Sequence, residues 1–133
     1  MHEWALAEAV VSTALDAVKG KKFKEVTELR IRMGELQQIE IEIFEFALKE
    51  LIQNHEILKN AEIKIEKEEA VFRCNVCGNE WKFTKDKLTD EESESIHFIP
   101  EIVHTYMRCP KCNSPDFEVI KGRGVSLESI EVR

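Results

Sequence analysis

Arg73-Cys74-Asn75-Val76-Cys77-Gly78 and Arg108-Cys109-Pro110-Lys111-Cys112-Asn113 hold all four cysteines of this chain, as two CxxC pairs. A CxxC pair bends the backbone so that two thiolates face one point, and two such knuckles supply a tetrahedral sulfur site. Zn²⁺ suits four thiolates because it is d¹⁰, borderline soft and without a geometric preference of its own. Gly78 follows the first pair and Asn113-Ser114 the second, which is the turn-tolerant chemistry a knuckle needs. The 31 residues between Cys77 and Cys109 are more than the usual ribbon spacing. Two disulfides or free thiols are the competing readings. Nothing marks the chain as secreted, so a structural Zn²⁺ on Cys74, Cys77, Cys109 and Cys112 is the expectation. Four protein ligands close the coordination shell, so such a metal holds structure and does no hydrolysis.

Upstream of the knuckles the pattern is α+β. Trp4, Ala7, Val10, Val11, Ala14, Leu15 and Val18 recur at helical spacing, and Gly20 is a natural stop. Residues 26–33 alternate, with Leu29, Ile31 and Met33 on one side and Glu28, Arg30 and Arg32 on the other, as in a half-buried strand. A second helix is expected from Ile39 to Gln53, with Ile41, Phe44, Leu48, Leu51 and Ile52 as its apolar stripe. A second strand covers Ala61–Glu66. Downstream, Glu80-Trp81-Lys82-Phe83 reads as a short ribbon strand, and Asp90-Glu91-Glu92-Ser93-Glu94 as an exposed linker or solvated turn. Phe117–Ile120 and Val125–Val132 are β-rich, with a slip in alternation near Ser129 that a bulge would reconcile. The last strand should return to the first sheet. The zinc-binding module, residues 71–117, is then an insertion in an α+β domain made of residues 1–70 and 118–133.

Composition narrows the function. The formal charge is −7, and residues 73–113 hold six Lys/Arg against seven Asp/Glu, a sign opposite to that of a phosphate-binding ribbon. No apolar run approaches the ~20 residues needed to cross a bilayer, and Met1-His2-Glu3-Trp4 lacks the basic start of a signal peptide. A cytoplasmic protein without membrane insertion is expected. Gly122-Arg123-Gly124 precedes a strand and lacks the phosphate-loop patterns, so it reads as a tight turn. With the cysteines committed to metal, no Ser-His-Asp or Cys-His arrangement can be argued, and no catalytic residue is assigned.

His2 stands apart. A histidine at position two of an unblocked chain can chelate through the α-amine, its own amide and Nδ1, and an amide nitrogen favours square-planar Ni²⁺ or Cu²⁺ over Zn²⁺. A surface histidine near a terminus is more often simply solvated. His55 sits in an exposed turn. His97 and His104 flank the apolar stretch Ile96–His104, where a lone imidazole is more often packed than ligating.

Met1-His2-Glu3, Gly34-Glu35-Leu36, the paired CxxC knuckles and Gly122-Arg123-Gly124-Val125 together resemble the nickel metallochaperone family HypA of hydrogenase maturation, over the whole chain. The long knuckle-to-knuckle segment with Ile96-His97-Phe98-Ile99-Pro100 is similar to the archaeal type. The resemblance implies two helices on a three-stranded sheet with an inserted Cys₄ zinc domain. It implies delivery of Ni²⁺ to the large subunit of [NiFe]-hydrogenase, together with the GTPase HypB, and no enzyme activity of its own. By the same resemblance Met1, His2 and Glu3 are the nickel motif, and the four cysteines the zinc site. His97 is the expected fourth nickel donor, with His104 as runner-up and Glu3 in a supporting or transfer role. The competing classes are a zinc-ribbon nucleic-acid factor, which the acidic charge opposes, and a zinc-stabilised adaptor with no second metal.

Overall fold

The computed structural model describes residues 2–83 and 88–133, with the backbone alone at His2. In chain order the elements are α1 (His2–Val18), β1 (Val26–Gly34), α2 (Ile41–Ile52), β2 (Glu62–Glu68), β3 (Val71–Cys74), β4 (Glu80–Lys82), α3 (Asp90–Phe98), α4 (Val103–Tyr106), β5 (Phe117–Lys121) and β6 (Val125–Val132). Two compact units result. One comprises Met1–Arg32, Ile39–Glu66 and Val125–Arg133, the other Met33–Gln38 and Lys67–Gly124.

In the first unit α1 and α2 pack on each other, and the strands run in the order β2-β1-β6. The β6 strand is antiparallel to β1: Arg133 N–H donates to Glu25 O at 2.9 Å at one end, and Gly34 N–H to Gly124 O at 2.8 Å at the other. Ala7, Val10, Val11, Ala14 and Val18 of α1 are buried, as are Leu29 and Ile31 of β1 and Phe44, Ala47, Leu48 and Ile52 of α2. Each large side chain so buried contributes roughly 1.5–3 kcal/mol. Trp4 is a correction. It belongs to the expected stripe by spacing but is 41 % exposed, its ring edge-on to Phe46 at 6.2 Å. The position one step earlier, Glu3, is buried instead. Glu28 is a second departure. It faces the polar side of β1 yet is only 6 % exposed, because Lys64 Nζ at 2.9 Å and Arg30 at 3.6 Å close over it. The hydrogen bond from Lys64 holds its carboxyl below the usual range.

The second unit is built on the antiparallel sheet β4-β3-β5. Phe72 lies opposite Trp81 on one side and Val119 on the other, while Cys74 pairs with Phe117. Its ring meets those of Trp81 (5.6 Å), Phe117 (5.3 Å) and Phe83 (6.2 Å). With Leu36, Ala70, Ile96 and Val103 these phenylalanines form a separate core. Such aromatic pairs add about 0.5–1.5 kcal/mol beyond their area.

That core explains why this unit extends beyond residues 71–117. Leu36, fully buried, draws in the short turn after β1, and β5 pairs with β3, not with the first sheet. The acidic run 90–94 is also corrected. It opens α3, where Thr89 Oγ1 accepts from Glu92 N–H at 3.1 Å and the Glu92 carboxylate accepts from Thr89 N–H at 3.0 Å. This capping box, with Asp90, Glu91 and Glu92 at the positive end of the helix dipole, makes a helix start of what composition alone reads as a linker.

Candidate metal centres

Two turns of matching construction bring the sulfurs together. In the first, Gly78 N–H donates to Cys74 O at 3.0 Å, with Gly78 at φ +77°. In the second, Asn113 N–H donates to Cys109 O at 2.8 Å, with Asn113 at φ +62°. Each turn therefore closes on a residue that tolerates the left-handed region, as the sequence signalled. Cys74 N–H to Asn79 O (2.8 Å) and Cys109 N–H to Ser114 O (2.9 Å) complete the two loops.

The four Sγ atoms all lie within 4.8 Å of one another, with Cys74 to Cys112 at 3.5 Å and Cys77 to Cys109 at 3.6 Å. None of the cysteines is in a disulfide. A regular tetrahedron with metal–sulfur bonds of about 2.3 Å sets its sulfurs about 3.8 Å apart, so the donor set fits one tetrahedral ion. The backbone is arranged for negative sulfur. Val76 and Cys77 N–H groups point at Cys74 Sγ, at 3.3 and 3.4 Å. The Cys77 amide bond leads the effects that lower the Cys74 thiol. Burial works to raise Cys109, but the amides of Cys112 and Lys111 bring it down to about 6. At Cys112 the Ser114 amide pulls downward, while burial and the three neighbouring sulfurs push the thiol up to about 12. Asn79, which sequence reasoning did not single out, adds a side-chain N–H to Cys109 Sγ at 3.9 Å.

The nitrogen donors are placed as follows. His2 is the first residue of α1, and Met1 lies outside the described residues. Glu3 is 2 % exposed and its Oε1 accepts the Glu40 amide at 3.3 Å, at the N-cap of α2. Burial pushes its carboxyl up, yet hydrogen bonds donated to it, that of Glu40 among them, carry it down to about 2. It is therefore a carboxylate built into the start of α2. In the second unit, His97 near the end of α3 places Nδ1 2.7 Å from Gln37 O. A carbonyl only accepts, so Nδ1 carries a proton toward Gln37, the arrangement in which a metal would be met by Nε2. No sequence signal pointed to Gln37. His104 lies ring-to-ring on Phe117, at 4.1 Å and 27°, which is a packing role.

The sequence model described as hydrogenase/urease nickel incorporation, metallochaperone, hypA matches residues 1–132. The chain is 51 % identical to the hydrogenase maturation factor HypA of Pyrococcus abyssi, and 48 % to that of Thermococcus onnurineus. Each alignment covers 99 % of this chain and 96 % of the relative. The solution structure of the Ni metallochaperone HypA from Helicobacter pylori superposes with a TM-score of 0.65 at 18 % identity, covering 99 % of this chain and 97 % of that one. A further solution structure of a HypA protein gives 0.66 at 19 %. At such identity the solved structures speak for the fold, and the sequence matches for the family. Among the described residues no helix is long and apolar enough to cross a membrane. The chain belongs to the HypA family of nickel-incorporation metallochaperones, maturation factors of hydrogenase and not enzymes.

Proposed function

We propose that this protein binds Ni²⁺ as cargo and hands it to the large subunit of [NiFe]-hydrogenase, working with the GTPase HypB in the cytoplasm. The observation that carries the reading is the convergence of all four sulfurs into one closed set. A four-thiolate cage with amide-braced donors suits a metal that stays, and we assign it to structural Zn²⁺. Cargo that must be released calls for a different, less enclosed donor set. The Met1 amine, the His2 amide and His2 Nδ1 supply three nitrogens of a square plane, which Ni²⁺ accepts and Zn²⁺ does not favour. His97 is the proposed fourth donor, on the strength of its Nδ1 bond to Gln37. Glu3, buried and ionised, supports the start of the motif and is not assigned a metal bond.

The test is metal analysis and X-ray absorption on untagged protein, on an N-terminally extended form, and on His97→Ala. One zinc with four sulfurs and one nickel with nitrogen donors is the expected result, the nickel lost on extension. Nickel found among the sulfurs, or unchanged in the extended protein, overturns the assignment. Nickel with an unchanged coordination shell in His97→Ala overturns the fourth donor alone. Transfer is read by mixing nickel-loaded protein with HypB. If a strong competing chelator in solution intercepts the metal completely, direct transfer is wrong.

A further inference from the structure

The second unit carries an open groove of ≈ 290 Å³ that neither metal reading uses. Its floor is apolar, made by Trp81 of β4, Leu88 ahead of α3, and Tyr106 and Met107 at the end of α4. All four are half-buried. Trp81 is braced from behind by Phe72 at 5.6 Å and Phe117 at 5.2 Å, so its ring is held in place before anything binds. Lys82 and Arg108, both exposed, stand at the rim.

The charge of this groove runs against that of the chain. The whole protein is −7, yet among the described residues no carboxylate lines the groove and two cations do. Arg108 has no ion-pair partner among the described residues. Lys82 meets Glu69 at 3.0 Å with both side chains more than two-thirds exposed, and a pair of that kind is worth little and readily exchanged. Rigid aromatics, a methionine and an arginine form the composition enriched where proteins bind one another. Preorganisation of the ring lowers the ordering cost of association.

We propose that this groove docks an extended segment of another protein in which an apolar or aromatic side chain is flanked by carboxylates. The apolar side chain lies on Trp81 and Tyr106, and a carboxylate takes the planar fork of Arg108, with Lys82 as a second charge. Aromatic rings and cations also suit single-stranded nucleic acid. Among the described residues two cations line the groove of an acidic chain, which is not the basic track that a phosphate backbone requires. The inference goes beyond the nickel reading and does not rest on it.

The experiment is a hexapeptide phage-display selection against the full, zinc-loaded chain, followed by titration of the selected peptides with ¹⁵N-resolved NMR. Expected winners carry an apolar centre with Asp or Glu beside it and shift the Trp81 indole and Arg108 signals. Arg108→Glu should weaken them by about tenfold, and replacing their Asp and Glu by Asn and Gln should do the same. Both Arg108 and Lys82 are exposed, so Arg108→Glu and Lys82→Glu should keep metal content and circular dichroism. If either does not, Arg108→Gln and Lys82→Gln replace them. No enrichment, basic or neutral winners, or binding indifferent to both charge changes overturns the proposal. Displacement of the peptide by a thymidine hexamer would assign the groove to nucleic acid and overturn it too.

Discussion

Gly34 and Gly122 interlock in the second unit, and their substitution separates two physical costs. A Cβ on Gly122 would overlap Ala70 Cα and lie 2.6 Å from Ala70 N. The residue also holds φ +88°. A Cβ on Gly34 would run into the Gly122 carbonyl, with Arg123 N at 2.8 Å, from an ordinary extended conformation. Gly124, at φ +90°, has nothing within 4 Å of its notional Cβ. Gly124→Ala thus reports backbone strain alone, about 1–2 kcal/mol. Gly34→Ala reports overlap alone, and in all three variants a less mobile unfolded chain offsets about 0.4–1 kcal/mol of the loss. Gly122→Ala incurs both. Relief would require backbone to move, because the obstructing atoms belong to Ala70. Around it Leu36 N–H donates to Gly122 O at 2.9 Å, Gly122 N–H to Glu68 Oε1 at 2.8 Å, and Ala70 N–H to Glu35 Oε1 at 2.9 Å. Loosening two of these costs about 2 kcal/mol at roughly 1 kcal/mol each. With the unfolded-chain offset subtracted, the expected loss for Gly122→Ala is about 2–3.5 kcal/mol. The assay is urea unfolding followed by Trp81 fluorescence in a Trp4→Phe background, Trp4 being exposed. Gly122→Ala and Gly124→Ala with midpoints that agree would refute the close approach as the reason for the glycine.

Other consequences are as direct. Removal of metal with a strong chelator should abolish amide protection at Gly78 and Asn113 while α1 and α2 keep theirs; retained protection in the knuckles would show that the sulfur site carries no folding energy. Glu3 has a carboxyl at about 2 against an ordinary 4.5, so its stabilisation is complete above pH 4.5 and lost as the pH falls toward 2. Wild type should exceed Glu3→Gln by on the order of 2 kcal/mol at pH 7, after discounting for solvent screening, and the gap should close at pH 2; a gap independent of pH rules the charge out. Thr89→Ala should cost about 1 kcal/mol at the start of α3, seen as faster exchange of the Glu92 amide, and unchanged exchange there would remove the capping box as the cause of the helix.

Period and chemistry carried much of this into the sequence. The alternation of Leu29, Ile31 and Met33, the α2 stripe and the two CxxC pairs all rest on local repeats. What escaped rests on distant partners. Leu36 reads as part of a turn, and nothing near it in sequence says that it will share a core with Phe72 and Phe117. Gln37 orients His97 from 60 residues away. Glu28 is buried by Lys64, a residue of the neighbouring strand. Trp4 lies at a core spacing, but the buried position is taken one step earlier by Glu3, whose carboxylate accepts the Glu40 amide, and Trp4 is left half-exposed against Phe46. The run 90–94 was legible in principle, since Thr89-Asp90-Glu91-Glu92 is a capping-box pattern. Its acidity outweighed that signal.

Each knuckle pairs a buried cysteine with an exposed one. Cys74 and Cys109 are almost wholly buried, whereas Cys77 and Cys112 are exposed. The site therefore has a sheltered edge and a weathered one. Peroxide, an alkylating agent or a competing ligand meets the second cysteine of each pair first. Damage should begin as an outer Cys77–Cys112 event, leaving the inner sulfurs reduced. A two-sulfur remnant of that kind loses the metal and with it the two turns, but the aromatic core around Phe72 contains no cysteine, so after oxidation a reductant and fresh metal rebuild the turns without refolding the sheet behind them.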